Sequence, residues 1–487
     1  MKKRIITIGS IAVTAILMAL IGSAILPSAI CETVSHKLIR ISDDVVAIYE
    51  SATADFLDSG AATMEIKTVQ QLVTNGEILT EQAEKSLSYY GYDTEELIAA
   101  SNELLKIGTH TIETSEAFVE GIAYVSIDQS NFKTAYSAQD YQKRLIPAAL
   151  FESKLYKTVS AYDNGSEYLL YFNNPTNAEN WAEMPDWNFS DAQGFALIDH
   201  NGNLLQSAYS ATYQYLVLGA VKDTLHFTVY VNHTPTAVQI DLPESTSDYT
   251  SISYFDGPRM LEKACGYLMK ANNVTAHYSD RIFCQAFGDE RVKTTSLYAA
   301  NNKDFSARIV TENILTNTGQ LGDTTRHLHD ELFIDGVYTI RVDGGAPTEN
   351  ETINAESMQN YCKDQLVSTI MLPKDIIEVR ITETETTFEI QFIPNTDFAA
   401  SLSSNACQTL YQNPNLLNEM AESSTVEKLE SSLTLNKRTG LPLYSGVEYS
   451  SSYTIEGVPY QLQYKAGQSY NIASNDTQNK INEAAGQ

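Results

Sequence analysis

Cysteine is scarce in this chain of 487 residues and unevenly placed: five are present, and none falls between Cys31 and Cys265. A disulfide framework therefore does not hold the first half together, while Cys265, Cys284, Cys362 and Cys407 allow one or two bridges in the second half, with the connectivity open. No CxxC or Cys/His pair stands at zinc spacing. Positive charge is also short. Thirty-two Lys and Arg face 61 Asp and Glu, for a net charge of −29. That balance repels nucleic acid and anionic lipid headgroups and suits a solvated surface.

Catalytic signatures are missing as well. The chain has no GxSxG, no HExxH and no phosphate-binding GxxxxGK[ST]. Ser130-Asn131-Phe132-Lys133 reads as SxxK, but it follows a hairpin strand and lacks the companion motifs of serine–lysine enzymes. His327 and His329 alternate along a strand beside Asp330, and two imidazoles on one face would need a third ligand to hold a metal. The expectation is a protein without cofactor or catalytic metal, and not an enzyme. Tryptophan is limited to Trp181 and Trp187, in the loop NAENWAEMPDWNFSD. Those rings suit either stacking on a sugar or plugging a lid against a sheet.

Long apolar runs are absent except for one. Met1-Lys2-Lys3-Arg4 precedes an uncharged, mostly apolar stretch over residues 5–30, and roughly 20 helical residues suffice to cross a bilayer. The basic cluster predicts residues 1–4 on the cytoplasmic side and the remainder outside it. A cleaved signal ending near Ser28 and Ala29 is the alternative; Ile30 before Cys31 departs from a lipidation signal. Either way the bulk is expected outside the cytoplasm, anchored at a cell membrane or secreted.

What the chain does have is an internal repeat whose matching segments lie about 215 residues apart. FVEGIAYVSID, Phe118 to Asp128, matches FIDGVYTIRVD, Phe333 to Asp343, and each holds a two-residue Glu-Gly or Asp-Gly turn between β-rich flanks. Opposed hairpin residues share a face, which groups Phe118 with Ala123, Val125 and Ile127, and Phe333 with Tyr338, Ile340 and Val342. A helix opens each copy, near 43–57 and 258–271. A second helix, capped at Ser137 or Asn354, follows the hairpin. Strand pairs then turn at Asn164-Gly165 and Asn201-Gly202 in copy one, and near Thr384 and at Thr439-Gly440 in copy two.

This order, with the phrase LTLNKRTGLPLYSG from Leu433 to Gly446, resembles the LolA-like lipoprotein carriers, at pattern level, over residues 40–240 and 258–470. Copy two is the more similar; in copy one no proline follows Asn201-Gly202. The resemblance implies an α+β fold: two tandem domains, each a strongly curved antiparallel sheet, an incomplete barrel, with helices over its concave face. The expected organisation is a cap at 1–4, an anchor or signal at 5–30, domains at 31–240 and 258–470, a linker at 241–257 and a polar tail at 471–487.

The resemblance also implies a ligand class: a lipid, a lipoprotein acyl chain or a hydrophobic peptide, bound by removal of apolar surface from water. Phe118, Val125, Ile127, Phe333, Tyr338, Ile340 and Val342 are the candidates for lining such a cavity. The same side chains equally suit a filled core. The competing expectation is an envelope protein that binds a protein or wall polymer and has no lipid cavity.

Overall fold

In the computed structural model the described residues are 39–40, 44–145, 150–163, 165–176, 187–234, 240–243, 245–285, 288–301, 304–317, 323–350, 352–398, 401 and 423–486. The expected cap at 1–4 and anchor at 5–30 lie outside them. Among the described residues no helix is long and apolar enough to cross a membrane.

The fold is mostly β, in two antiparallel sheets built to one plan, neither closed into a barrel. In the first half β1 (Ile39–Arg40) and α1 (Val45–Asp58) precede a meander of β2 (Ala61–Thr74), β3 (Glu77–Tyr90), β4 (Ile98–Ile107), β5 (His110–Val119), β6 (Ile122–Ile127) and β7 (Ser130–Ala135). After α2 (Ala138–Gln142) a second meander runs through β8 (Tyr156–Asp163), β9 (Glu167–Pro175), β10 (Asn188–Asp199), β11 (Leu204–Val217) and β12 (Ala220–Thr234), and β13 (Thr250–Ser251) follows. The last long strand returns to the first: β12 pairs with β2, with Val231 opposite Ile66.

The second half repeats this. Helix α3 (Gly257–Lys270) leads into β14 (Asn273–Cys284), β15 (Asp289–Asn301), β16 (Phe305–Asn317), β17 (Asp323–Ile334), β18 (Val337–Val342) and β19 (Thr348–Glu349). Then α4 (Ala355–Leu366) precedes β20 (Ile376–Glu383), β21 (Thr387–Pro394), β22 (Thr425–Asn436), β23 (Pro442–Ile455) and β24 (Val458–Ile472), and α5 (Thr477–Ala485) ends the described chain. Here β24 pairs with β14, so the closing contact of the first half is reproduced.

Local chemistry explains these elements. Glu120 and Gly121, and Asp335 and Gly336, all have φ between 51° and 78°, the geometry of the type I′ turn that the Glu-Gly and Asp-Gly dipeptides predict. Phe118 lies opposite Ala123 and Phe333 opposite Tyr338, in the expected register. Ser137 and Asn354 accept from the backbone N–H three residues on, so both helix starts are capped as read.

Two of the expected segments carry structure of their own. Within the expected linker at 241–257, β13 pairs in parallel with β7, with Thr250 opposite Phe132, and Thr134 Oγ1 donates to the Ile252 carbonyl at 2.8 Å. The spare edge of β7 supplies the donors and acceptors that a serine-rich segment lacks by itself. Within the expected polar tail at 471–487, the described residues 471–486 pack on the second sheet. Strand β24 extends to Ile472, and α5 lies across β14 to β17 with Thr477 and Ile481 fully buried.

Candidate functional site

Helix α3 belongs to the second repeat, yet it packs on β4 and β5 of the first sheet as well as on β20 and β23 of its own. Its sequence carries two faces at helical spacing. Leu261, Ala264 and Leu268 are buried in the common core, whereas Arg259, Lys263 and Tyr267, at i, i+4 and i+8, meet carboxylates of the first sheet. Arg259 bonds to Glu103, Lys263 Nζ stands 2.8 Å from Glu81, and the Tyr267 hydroxyl donates to Glu81. Beyond the helix end the Asn272 and Asn273 N–H groups donate to Glu77, and His110 Nε2 lies 3.1 Å from Glu262. Burial, and then the neighbouring Glu81 charge, hold the Tyr267 phenol well above its usual range, so it remains a donor. Gly266 permits the approach: a Cβ there would come within 3.0 Å of the His110 and Ile107 side chains.

The expected arrangement, each sheet roofed by its own helices, is therefore crossed. The inner face of the first sheet is shared: α1 covers β8, β10 and β11, and α3, from the second half, covers β4 and β5. What stays open there is a cavity of about 200 Å³, floored by Ile66, Ala83 and Leu105 and rimmed by Glu81, Lys85, Glu103 and Arg259. Pockets for drug-sized ligands run from about 300 to 1,000 Å³.

The seven residues singled out from sequence lie elsewhere. Phe118 stacks on Tyr141 at a centroid distance of 4.4 Å, Val125 and Ile127 are buried in the same core, and Phe333 packs on Phe305. Tyr338 is buried with its hydroxyl on Glu331 at 2.9 Å, Ile340 is half-buried, and Val342 is exposed. None of the seven lines the cavities described here.

Ser130 and Lys133 sit on β7, three apart, so their side chains leave opposite faces of the sheet and the SxxK spacing brings no amine to the hydroxyl. Lys133 Nζ instead contacts the Thr246 carbonyl at 3.4 Å. His327 pairs with Asp343 at 3.2 Å, while Asp330 turns to Arg308 at 3.0 Å. No group of three metal-ligating side chains occurs among the described residues. Cys265, Cys284 and Cys362 are free thiols, and burial pushes the Cys265 thiol well above its usual range and that of Cys362 up to about 12. Cys31, Cys407 and Trp181 lie outside the described residues.

Two groupings escaped sequence reasoning, because they join residues far apart in the chain or in strands whose pairing was unknown. Trp187 donates its indole N–H to the Arg438 carbonyl at 3.2 Å, and the Arg438 guanidinium lies 3.7 Å from the centroid of Tyr215 and pairs with the buried Asp223. The turn after LTLNK thus clamps the second half onto the first, and Trp187 is packed there, not displayed. Ser207 Oγ and His233 Nε2 form a buried pair at 2.7 Å beneath α1, with the Phe56 ring against the imidazole. Burial pushes the His233 pKa down to about 3, and its Nδ1 has no partner among the described residues. A nucleophile's base needs an orienting group and access to substrate; among the described residues this pair has neither.

On the outer face of the first sheet, two rungs cross the strands. One reads Thr63, Ser88, Ala100, Ala117 and Tyr124, the other Glu65, Ser86, Asn102, Ser115 and Ser126. Residues 240–243 and Tyr249 pass over them and enclose a half-open groove of about 490 Å³. A smaller polar hollow of about 250 Å³ lies at the junction of the halves, between Asn75, Asn273 and Gln478.

No protein-family model matches this chain, and no curated protein does. Solved structures are similar only faintly. The MucA/MucB complex of Pseudomonas aeruginosa shares 11% identity over 65% of this chain and 97% of that one, with a TM-score of 0.15. A putative AttH from Nitrosomonas europaea shares 9% over 85% and 95%, at 0.12, and OpdK from Pseudomonas aeruginosa, with vanillate, 8% over 84% and 98%, at 0.10. Likeness at this level carries no functional argument.

Proposed function

We propose that this chain is a non-enzymatic envelope protein that binds a polar partner, a wall polymer, with its two repeats fused into one rigid platform. The observation that carries this reading is the crossing of α3. Its cationic and phenolic stripe covers β4 and β5 of the first sheet through Glu81 and Glu103, and the backbone just beyond the helix binds Glu77, so part of the trough where an acyl chain would lie is used to join the halves. The larger opening is polar and on the other side. The apolar run at 5–30 would hold the platform just outside a membrane, and each sheet would curve as an incomplete barrel in the manner of the LolA-like carriers that the sequence resembles.

A second reading keeps the amphiphilic ligand. It rests on the cavity beside α3, whose apolar floor and Lys85 and Arg259 rim suit the end of an acyl chain with an anionic head. One experiment separates them. The full-length chain, in a polyoxyethylene detergent, is sedimented with peptidoglycan sacculi and titrated in parallel with a fluorescent fatty acid. Co-sedimentation that saturates is expected; no sedimentation, with saturable fatty-acid binding lost in Ala83→Trp, would transfer the assignment to the second reading.

A further inference from the structure

We infer that the groove on the outer face of the first sheet is a saccharide site, taking a short, neutral, polyhydroxylated segment; this rests on the wall-polymer reading and names the chemistry it would recognise. The floor is a sheet face, so its backbone N–H and C=O groups are consumed in the ladders from β2 to β6. An extended peptide recognises a sheet by adding to a free edge, and this floor offers only side chains. Hydroxyls, an amide and rings stand among them, Thr63, Ser88, Asn102 and Ser115 below, Tyr124 at one end and Tyr249 above, beside the carboxylates of Glu65, Glu116 and Asp241 and an apolar stretch of the roof. Hydroxyl and amide groups pair with sugar hydroxyls in either donor sense, and an aromatic ring offers an apolar face with a polar edge.

The roof is positioned, not loose. Tyr249 meets Tyr124 edge to face at 5.2 Å, and its hydroxyl lies 3.4 Å from Ser126. Below, Ser115 donates to Asn102 at 2.7 Å, and Thr63 and Ser88 pair at 3.0 Å, which fixes the polar rungs. Charge selects the ligand further. The lining supplies no lysine or arginine and includes Glu65 and Asp241, and the whole chain carries −29; an anionic polymer is repelled. No three-ligand cluster is present among the described residues to make it a metal site. Four strand spacings from β2 to β6 give a floor roughly 19 Å long, enough for several sugar rings in a row.

The test uses the full-length chain in a polyoxyethylene detergent, which carries no sugar headgroup. Chitotetraose, cellotetraose and maltotetraose are titrated calorimetrically to millimolar concentration, with an oligolysine peptide as the contrasting ligand. Ser115→Trp fills the groove, and Tyr249→Ala removes the roof ring while leaving every residue of the sheet unchanged; circular dichroism and melting temperature establish that each is folded. The expected result is saturation by at least one neutral tetrasaccharide, weakened about tenfold or more in both variants. Absence of saturation by all three sugars, binding unchanged in both variants, or binding of oligolysine alone would overturn it. If sacculi still sediment the chain and the Ser115→Trp variant equally, the groove assignment fails while the wall-polymer reading stands; if neither sedimentation nor sugar binding occurs, both fall.

Discussion

Lowering the pH from 7.5 to 5 should destabilise this protein by about 2 kcal/mol through one side chain, His233. The imidazole lies on the inner face of β12, 5% exposed, with Phe56 against its ring and Ser207 on Nε2. Burial holds its pKa near 3 in the folded chain, against roughly 6.5 for an unfolded histidine. The folded value is depressed, so between pH 6.5 and 3 the unfolded chain binds the extra proton. Stability from keeping the ring neutral is complete above about pH 6.5 and is lost progressively as pH falls towards 3, where the total reaches about 4 to 5 kcal/mol.

At pH 5 the unfolded imidazole is almost fully protonated and the folded one is not, which gives the figure of about 2 kcal/mol. Carboxylates titrate over the same range, so the measurement is a comparison. Urea unfolding of the wild-type chain and of His233→Gln, whose amide keeps a hydrogen bond to Ser207 and cannot protonate, is followed at both pH values by far-ultraviolet circular dichroism. The wild type is expected to lose about 2 kcal/mol more than the variant. Equal losses would refute the reasoning, and with it the reading of this pair as buried structure.

Two other perturbations test the joining of the halves. Arg438→Ala strips the partner from Asp223, which is 1% exposed, and should cost about 3 to 5 kcal/mol with a red shift of Trp187 emission as its cover is lost; an unchanged spectrum and unfolding midpoint would count against the clamp. Gly266→Val drives methyl groups into His110 and Ile107 and should lower stability by about 1 to 3 kcal/mol; an unchanged melting temperature would show that α3 does not press on the first sheet.

Much of the fold was legible because it is written in local patterns. Hairpin dipeptides need positive φ, and alternation assigns faces, so Glu120-Gly121 and Asp335-Gly336 placed their strands and the pairing of Phe118 with Ala123 correctly. The expected linker at 241–257 and polar tail at 471–487 rested on composition, which records only their own side chains. The contacts of their described residues come from a vacant β7 edge and from the surface of β14 to β17.

The duplicated order of helices and meanders, the hairpin registers, the helix caps and the acidic balance could be read from the residues alone, since each depends on neighbours within a few positions or on composition. Three features emerge only once the chain is folded: α3 roofs the other repeat's sheet, Arg438 reaches Asp223 and Trp187, and a polar groove forms on the outer face. Those outcomes join side chains more than a hundred residues apart. Charge pairing and close approach across such separations depend on how two sheets come to rest against one helix, and no periodicity along the chain encodes that.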